Sequence, residues 1–154
     1  FDDAKKLLAT AKDRNEIALI VLRSCLSSFV RAVLLTVQGD AALGWDGVGD
    51  GIDLQTVKEL RLPLKSPSIF QLARDSKAHF LGPLPKEKVN ILFLKLTGAQ
   101  IRKSALVVPV VVRGVVLNLL YCDNGKGKQV TTDIGDMLVV AQHINRSYEK
   151  LLRR

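Results

Sequence analysis

The stretch Ser104–Gly125, SALVVPVVVRGVVLNLLYCDNG, most constrains what this chain can fold into. Ala105–Val112 is an almost unbroken apolar run, Arg113-Gly114 is a two-residue turn, and Val115–Tyr121 runs back. Gly114 supplies the positive φ that such a turn requires. β-Branched residues dominate both runs and suit a pleated, packed surface. Near-continuous apolarity implies a sheet buried on both faces, so helices must cover both sides.

The remaining segments supply them. Apolar residues at Ala4, Leu7, Leu8 and Ala11 have helical spacing, and Asp13-x-x-Glu16 resembles a capping box opening a helix over Arg14–Phe29. Val30–Val37 and Ala41–Val48 read as strands joined at Gly39-Asp40. Asp53 caps a short helix, Leu54–Leu60, and Arg61–Leu64 is extended because Leu62 precedes Pro63. Ser66-Pro67 predicts a helix start with Ser66 as the cap, His79–Leu81 a short strand, and Pro85-Lys86 a helix running to about Leu96 before Gly98. Thr131 or Thr132 caps a long final helix. The expected class is α+β, with a central antiparallel sheet of five to six strands between helices.

Charge and cysteine usage narrow the function. The net charge of +8 is scattered, and aromatic residues are only 5% of the chain, so no stacking platform for nucleic acid is visible. Cys25 and Cys122 are too far apart in sequence for metal-ligand spacing, and His79 and His143 are isolated. Neither GxSxG nor HExxH occurs, and the glycines at 47, 49 and 51 miss the Rossmann spacing at Ile52. No cofactor, metal or catalytic cluster is expected, nor is a membrane span. The acidic start Phe1-Asp2-Asp3 is unlike a signal peptide, and a cytoplasmic location is expected. The chain, 1–154, is read as one domain with an N-terminal helical region, 1–29, and a C-terminal helix, 131–154. Lacking an initial Met, it is expected to be a piece of a longer protein or a tag-cleaved one. Asn118 interrupts an apolar strand, on the face that alternation assigns to Val116 and Leu120. It either bonds backbone or points into a ligand pocket.

The order helix, hairpin, helical middle, hairpin, long helix resembles a GAF domain, a sensory module related in architecture to PAS domains. Ala105–Asp123 carries the most specific match: the apolar run, Pro109, the Gly114 turn, then an aliphatic strand ending in Tyr121 and Asp123. The chain departs from the family at Asn118, where a Gly is common. It also lacks the assembled cyclic-nucleotide signature, the cysteine set of methionine-sulfoxide-reducing members and a bilin-attachment cysteine. The resemblance implies a non-enzymatic, bacterial-type regulatory domain. Its ligand pocket would lie between the sheet and Pro63–Gly98, lined by Trp45, Ile69, Phe70, Phe80, Leu81, Leu94 and Asn118. It also implies a homodimer through the first and last helices, by Leu7, Leu8, Ala11 and Ala18 with Ala141, Ile144, Tyr148 and Leu151. The alternatives are a protein-docking module whose pocket is closed, and a small-molecule enzyme on the same fold.

Overall fold

The computed structural model describes residues 2–98, 104–125 and 134–152. One antiparallel sheet of six strands runs through it. Its centre is the pairing of β1 (Arg31–Gln38) with β6 (Val115–Asp123). Each carries a hairpin partner outward: β2 (Ala41–Gly49) beside β1, and β5 (Ala105–Val112) beside β6. Two three-residue strands, β3 (Arg61–Pro63) and β4 (Phe80–Gly82), finish the edges. The β5–β6 turn has φ of +52° at Arg113 and +77° at Gly114, the left-handed pair a type I′ hairpin requires.

Two helical layers cover the sheet. Helices α1 (Asp2–Ala9), α2 (Arg14–Cys25) and α6 (Gly135–Leu152) lie on one face, and α3 (Leu54–Glu59), α4 (Ile69–Ser76) and α5 (Lys88–Thr97) on the other. Strand alternation divides the core between them. Ala32, Leu34, Leu120 and Cys122 face the terminal helices, while Val33, Leu35, Leu119 and Tyr121 face the middle ones. α3 presses so closely on β2 that a Cβ at Gly44 would lie 1.7 Å from the Val57 carbonyl oxygen. Only glycine fits there.

Several sequence expectations are met. The hairpin, its turn and the long terminal helix form where expected, and Val108, Val110, Val112, Leu119 and Leu120 are buried. Pro109 is accommodated in β5 because β4 pairs only with Ala105–Val107, leaving Pro109 with a single neighbouring strand. Asp13 caps α2, accepting from the Glu16 N–H at 2.9 Å, and the helix ends at Cys25 rather than Phe29. α4 starts later than predicted: Ser68, not Ser66, is the cap, accepting from the Gln71 N–H at 2.9 Å. α5 likewise begins at Lys88, two residues past the Pro85-Lys86 start. The caps proposed at Thr131 or Thr132 lie outside the described residues.

Two β-bulges break the alternation. Between β1 and β2 the register steps from Leu34↔Asp46 to Leu35↔Gly44, leaving Trp45 as the extra residue. Between β5 and β6 it steps from Val110↔Asn118 to Val111↔Val116, leaving Leu117 extra. The second bulge corrects two expectations. Leu117 is only half-buried, and Val116 packs with the middle helices while Asn118 faces the terminal ones. A bulge re-aims side chains in this way.

Candidate functional site

The layer expected to hold a ligand is filled by side chains. Phe70 of α4, Phe93 of α5 and Tyr121 of β6 form an edge-to-face cluster, with centroids 4.8 Å apart for Phe70–Phe93 and 4.5 Å for Phe93–Tyr121. All three are fully buried. At the end of this layer Arg31 and Asp123, opposite each other across β1 and β6, form a buried ion pair. Arg31 Nε donates to Asp123 Oδ1 at 3.0 Å and Nη2 to Oδ2 at 3.1 Å, while Nη1 donates to the Thr97 carbonyl that ends α5. The Tyr121 hydroxyl donates to Asp123 Oδ2 at 2.6 Å, and the Gly125 N–H to Oδ1 at 2.9 Å. Burial pushes the Asp123 carboxyl up. The Tyr121 hydroxyl and the Arg31 guanidinium outweigh it and hold the group below the ordinary carboxylate range.

The seven residues proposed as one pocket are therefore divided. Ile69, Phe70, Phe80 and Leu94 belong to the middle layer, whereas Trp45, Leu81 and Asn118 belong to the terminal-helix layer. Phe80 and Leu81 are successive in a strand and must point to opposite faces. The bulges send Trp45 and Asn118 toward α2 and α6.

The dimer seam read from the helix repeat is likewise covered within the protomer. Leu8, Ala11, Ala18, Ile144 and Tyr148 are buried where α1, α2 and α6 pack together, and Ala141 and Leu151 are half-buried against them. The Ser147 hydroxyl donates to the Leu8 carbonyl at 2.8 Å, tying α6 to α1. Leu7 alone of this set is well exposed, at 53%.

An open cleft of about 380 Å³ lies instead on the terminal-helix side, at the ends of β1 and α6. Arg14, Thr36, Gln38, Asn118 and Tyr148 are its polar residues. Val37, Leu117, Leu151 and Leu152 make the rest aliphatic. A hydrogen-bonded chain forms its floor: the Tyr148 hydroxyl donates to Asn118 Oδ1 at 2.6 Å, and Asn118 Nδ2 donates to the Leu35 carbonyl at 3.3 Å. Asn118 thus satisfies its amide on backbone and, through Tyr148, borders the cleft. Burial raises the Tyr148 pKa, and the nearby Arg14 guanidinium partly opposes that rise. Arg14 also lies over the Trp45 ring, 4.9 Å from its centroid. Sequence reading missed Arg14, Thr36, Gln38 and Leu117, because a bulge re-aims Leu117 and the others meet only through the packing of α2 and α6 at the end of β1.

The two cysteines meet in the core. The Cys122 thiol faces that of Cys25 at 4.0 Å, and both are fully buried. Burial, and then Cys25, push the Cys122 thiol well above its ordinary value. Among the described residues no group of three or more His, Cys, Asp or Glu is placed to hold a metal ion, and no helix is long and apolar enough to cross a membrane.

This architecture is the GAF fold. A methyl-accepting chemotaxis protein fragment matches 100% of this chain and 98% of its own length at 13% identity and a TM-score of 0.79. The GAF domain of a phosphoenolpyruvate-protein phosphotransferase from Coxiella burnetii matches 97% and 90% at 12% identity and 0.76. A free methionine-R-sulfoxide reductase from Neisseria meningitidis, solved with its substrate, matches 99% and 87% at 13% identity and 0.71. No family model and no curated protein sequence matches the chain.

Proposed function

We propose that this chain is a non-enzymatic sensory or regulatory GAF-fold domain that binds a small ligand in the cleft between its sheet and its terminal helices. The make-up of the cleft carries the reading. One wall is the central pair of strands, and the others are the first residue of α2 and the last turn of α6. A ligand seated there touches the helices that would carry a signal onward. If two arrangements of those helices differ in affinity for it, binding shifts their populations. The solved neighbours include a chemotaxis protein fragment and a GAF domain of a phosphotransferase, which agrees with such a role. The reductase neighbour raises catalysis as an alternative. The two buried thiols of this chain, one held strongly protonated, are poorly suited to nucleophilic work.

The test uses Trp45, the only tryptophan, which stands behind Arg14 at the cleft. A panel of nucleotides and common metabolites is titrated while Trp45 emission and thermal stability are followed. A saturable response that Leu117→Tyr, which fills the cleft without adding a second indole, abolishes supports the reading, and silence across the panel rejects it. The second reading, a protein-docking or self-associating module, is favoured by the filled middle layer and by Leu7 and Leu19, exposed side by side along the α1–α2 groove. Sedimentation equilibrium of the wild type and of Leu7→Lys examines the self-associating form.

A further inference from the structure

Resting on the cleft reading above, we propose that the ligand is a free monocarboxylate with an aliphatic tail, its carboxylate on Arg14 and its tail on the leucines. The charge pattern of the cleft points to a single negative group. Arg14 is its one formal charge, and no Asp or Glu lines it. Among the described residues Arg14 has an aromatic ring and a tyrosine hydroxyl as neighbours and no carboxylate partner. The Trp45 face and the Tyr148 hydroxyl restrict where the guanidinium can lie, which lowers the ordering needed when it grips a ligand. A guanidinium offers a planar fork that matches a carboxylate in two parallel hydrogen bonds. A phosphate dianion would call for a second cation or a nest of backbone N–H groups. The Asp13 carboxylate already accepts the Glu16 N–H of the helix terminus beside Arg14.

The remainder of the cleft is shaped for hydrocarbon. Leu117, pushed out by the bulge, and Leu151 and Leu152 on α6 present aliphatic surface continuous with Val37. Leu152 is 55% exposed and so has much apolar surface to cover. The volume of about 380 Å³ lies at the small end of the range for ligand pockets, about 300–1,000 Å³. That suits a medium-chain acid better than a nucleotide.

The experiment titrates the whole chain with octanoate, octan-1-ol and octyl phosphate, following heat and Trp45 emission. Arg14→Gln is compared with Arg61→Gln, which removes the same charge from an exposed site on the edge strand β3. Circular dichroism checks that both variants fold. Octanoate is expected to bind about tenfold or more tightly than octan-1-ol, the usual scale of a charge-assisted hydrogen bond. Arg14→Gln should remove that advantage and leave octan-1-ol binding unchanged, while Arg61→Gln changes neither. Equal binding of octanoate and octan-1-ol, an octanoate affinity indifferent to Arg14→Gln, or a preference for octyl phosphate each overturns the carboxylate assignment. In those cases saturable binding still upholds a ligand cleft. If none of the three compounds binds, this assignment falls, and the cleft reading then depends on the wider panel.

Discussion

At the scale of single residues, Arg31 and Asp123 are 2% and 0% exposed, and each neutralises the other's charge inside the middle layer. Removing one charge strands its partner, so Asp123→Asn should destabilise the fold by about 3–5 kcal/mol in urea unfolding. The double variant Arg31→Met/Asp123→Leu should lose less, because neither charge is left alone and the remaining cost is that of the Tyr121 hydroxyl and the Gly125 N–H without their acceptor. Since the folded state holds the Asp123 carboxyl below its ordinary range, its contribution is complete above the ordinary carboxylate pKa. It fades as pH falls through the lower folded value. The acid limb of the stability curve should accordingly flatten in Asp123→Asn. Asn118→Leu leaves the Tyr148 hydroxyl without its acceptor and should cost about 1–3 kcal/mol by the same measurement. Asn118 was visible in the sequence as an anomaly and Asp123 as the end of the second hairpin strand, while Arg31 drew no notice inside its strand. The pairing of Arg31 with Asp123 was not visible, because opposition across β1 and β6 depends on a register set by residues more than eighty positions apart.

At the scale of elements, regular periodicity was legible and single-residue insertions were not. The hairpin 105–121 announces itself through β-branched residues on either side of Arg113-Gly114, the middle helices through their cap and proline positions, and the terminal helices through their apolar spacing. A bulge leaves no such mark. Trp45 and Leu117 look like ordinary members of their strands until the partner strand shows them unmatched. The sequence pattern places the α4 cap at Ser66, and the clue to Ser68 lay in Gln71, three residues beyond it, which completes a capping-box spacing. The approach of α3 to β2 gives a sharp test. Gly44→Ala places a methyl on the Val57 carbonyl, and backbone has to move to make room. A loss of about 3 kcal/mol or more is expected in thermal unfolding, at the severe end of overpacking. A loss under about 0.5 kcal/mol would mean that α3 is free to shift.

For the whole molecule, the division of the core by one sheet governs what can be tested. Cyclic GMP and cyclic AMP are expected not to bind at micromolar concentrations in calorimetry, because Phe70, Phe93 and Tyr121 fill the middle layer. Ile144, part of the seam read from the helix repeat, lies inside the protomer, so Ile144→Glu tests folding rather than association. With Ile144 at 2% exposure, the variant should unfold the protomer, visible as lost helical signal in circular dichroism. Self-association is instead to be sought at Leu7 and Leu19. The central pairing of β1 with β6 also has a consequence for synthesis. The two strands that close the sheet leave the ribosome with about half of the chain between them, so α2 and the β1–β2 hairpin emerge with an open sheet edge and uncovered aliphatic faces. Non-local closure of this kind slows folding and exposes the intermediate to aggregation. A nascent chain stalled before residue 115 should therefore bind a hydrophobic-patch chaperone in crosslinking experiments, and one extended past α6 should release it.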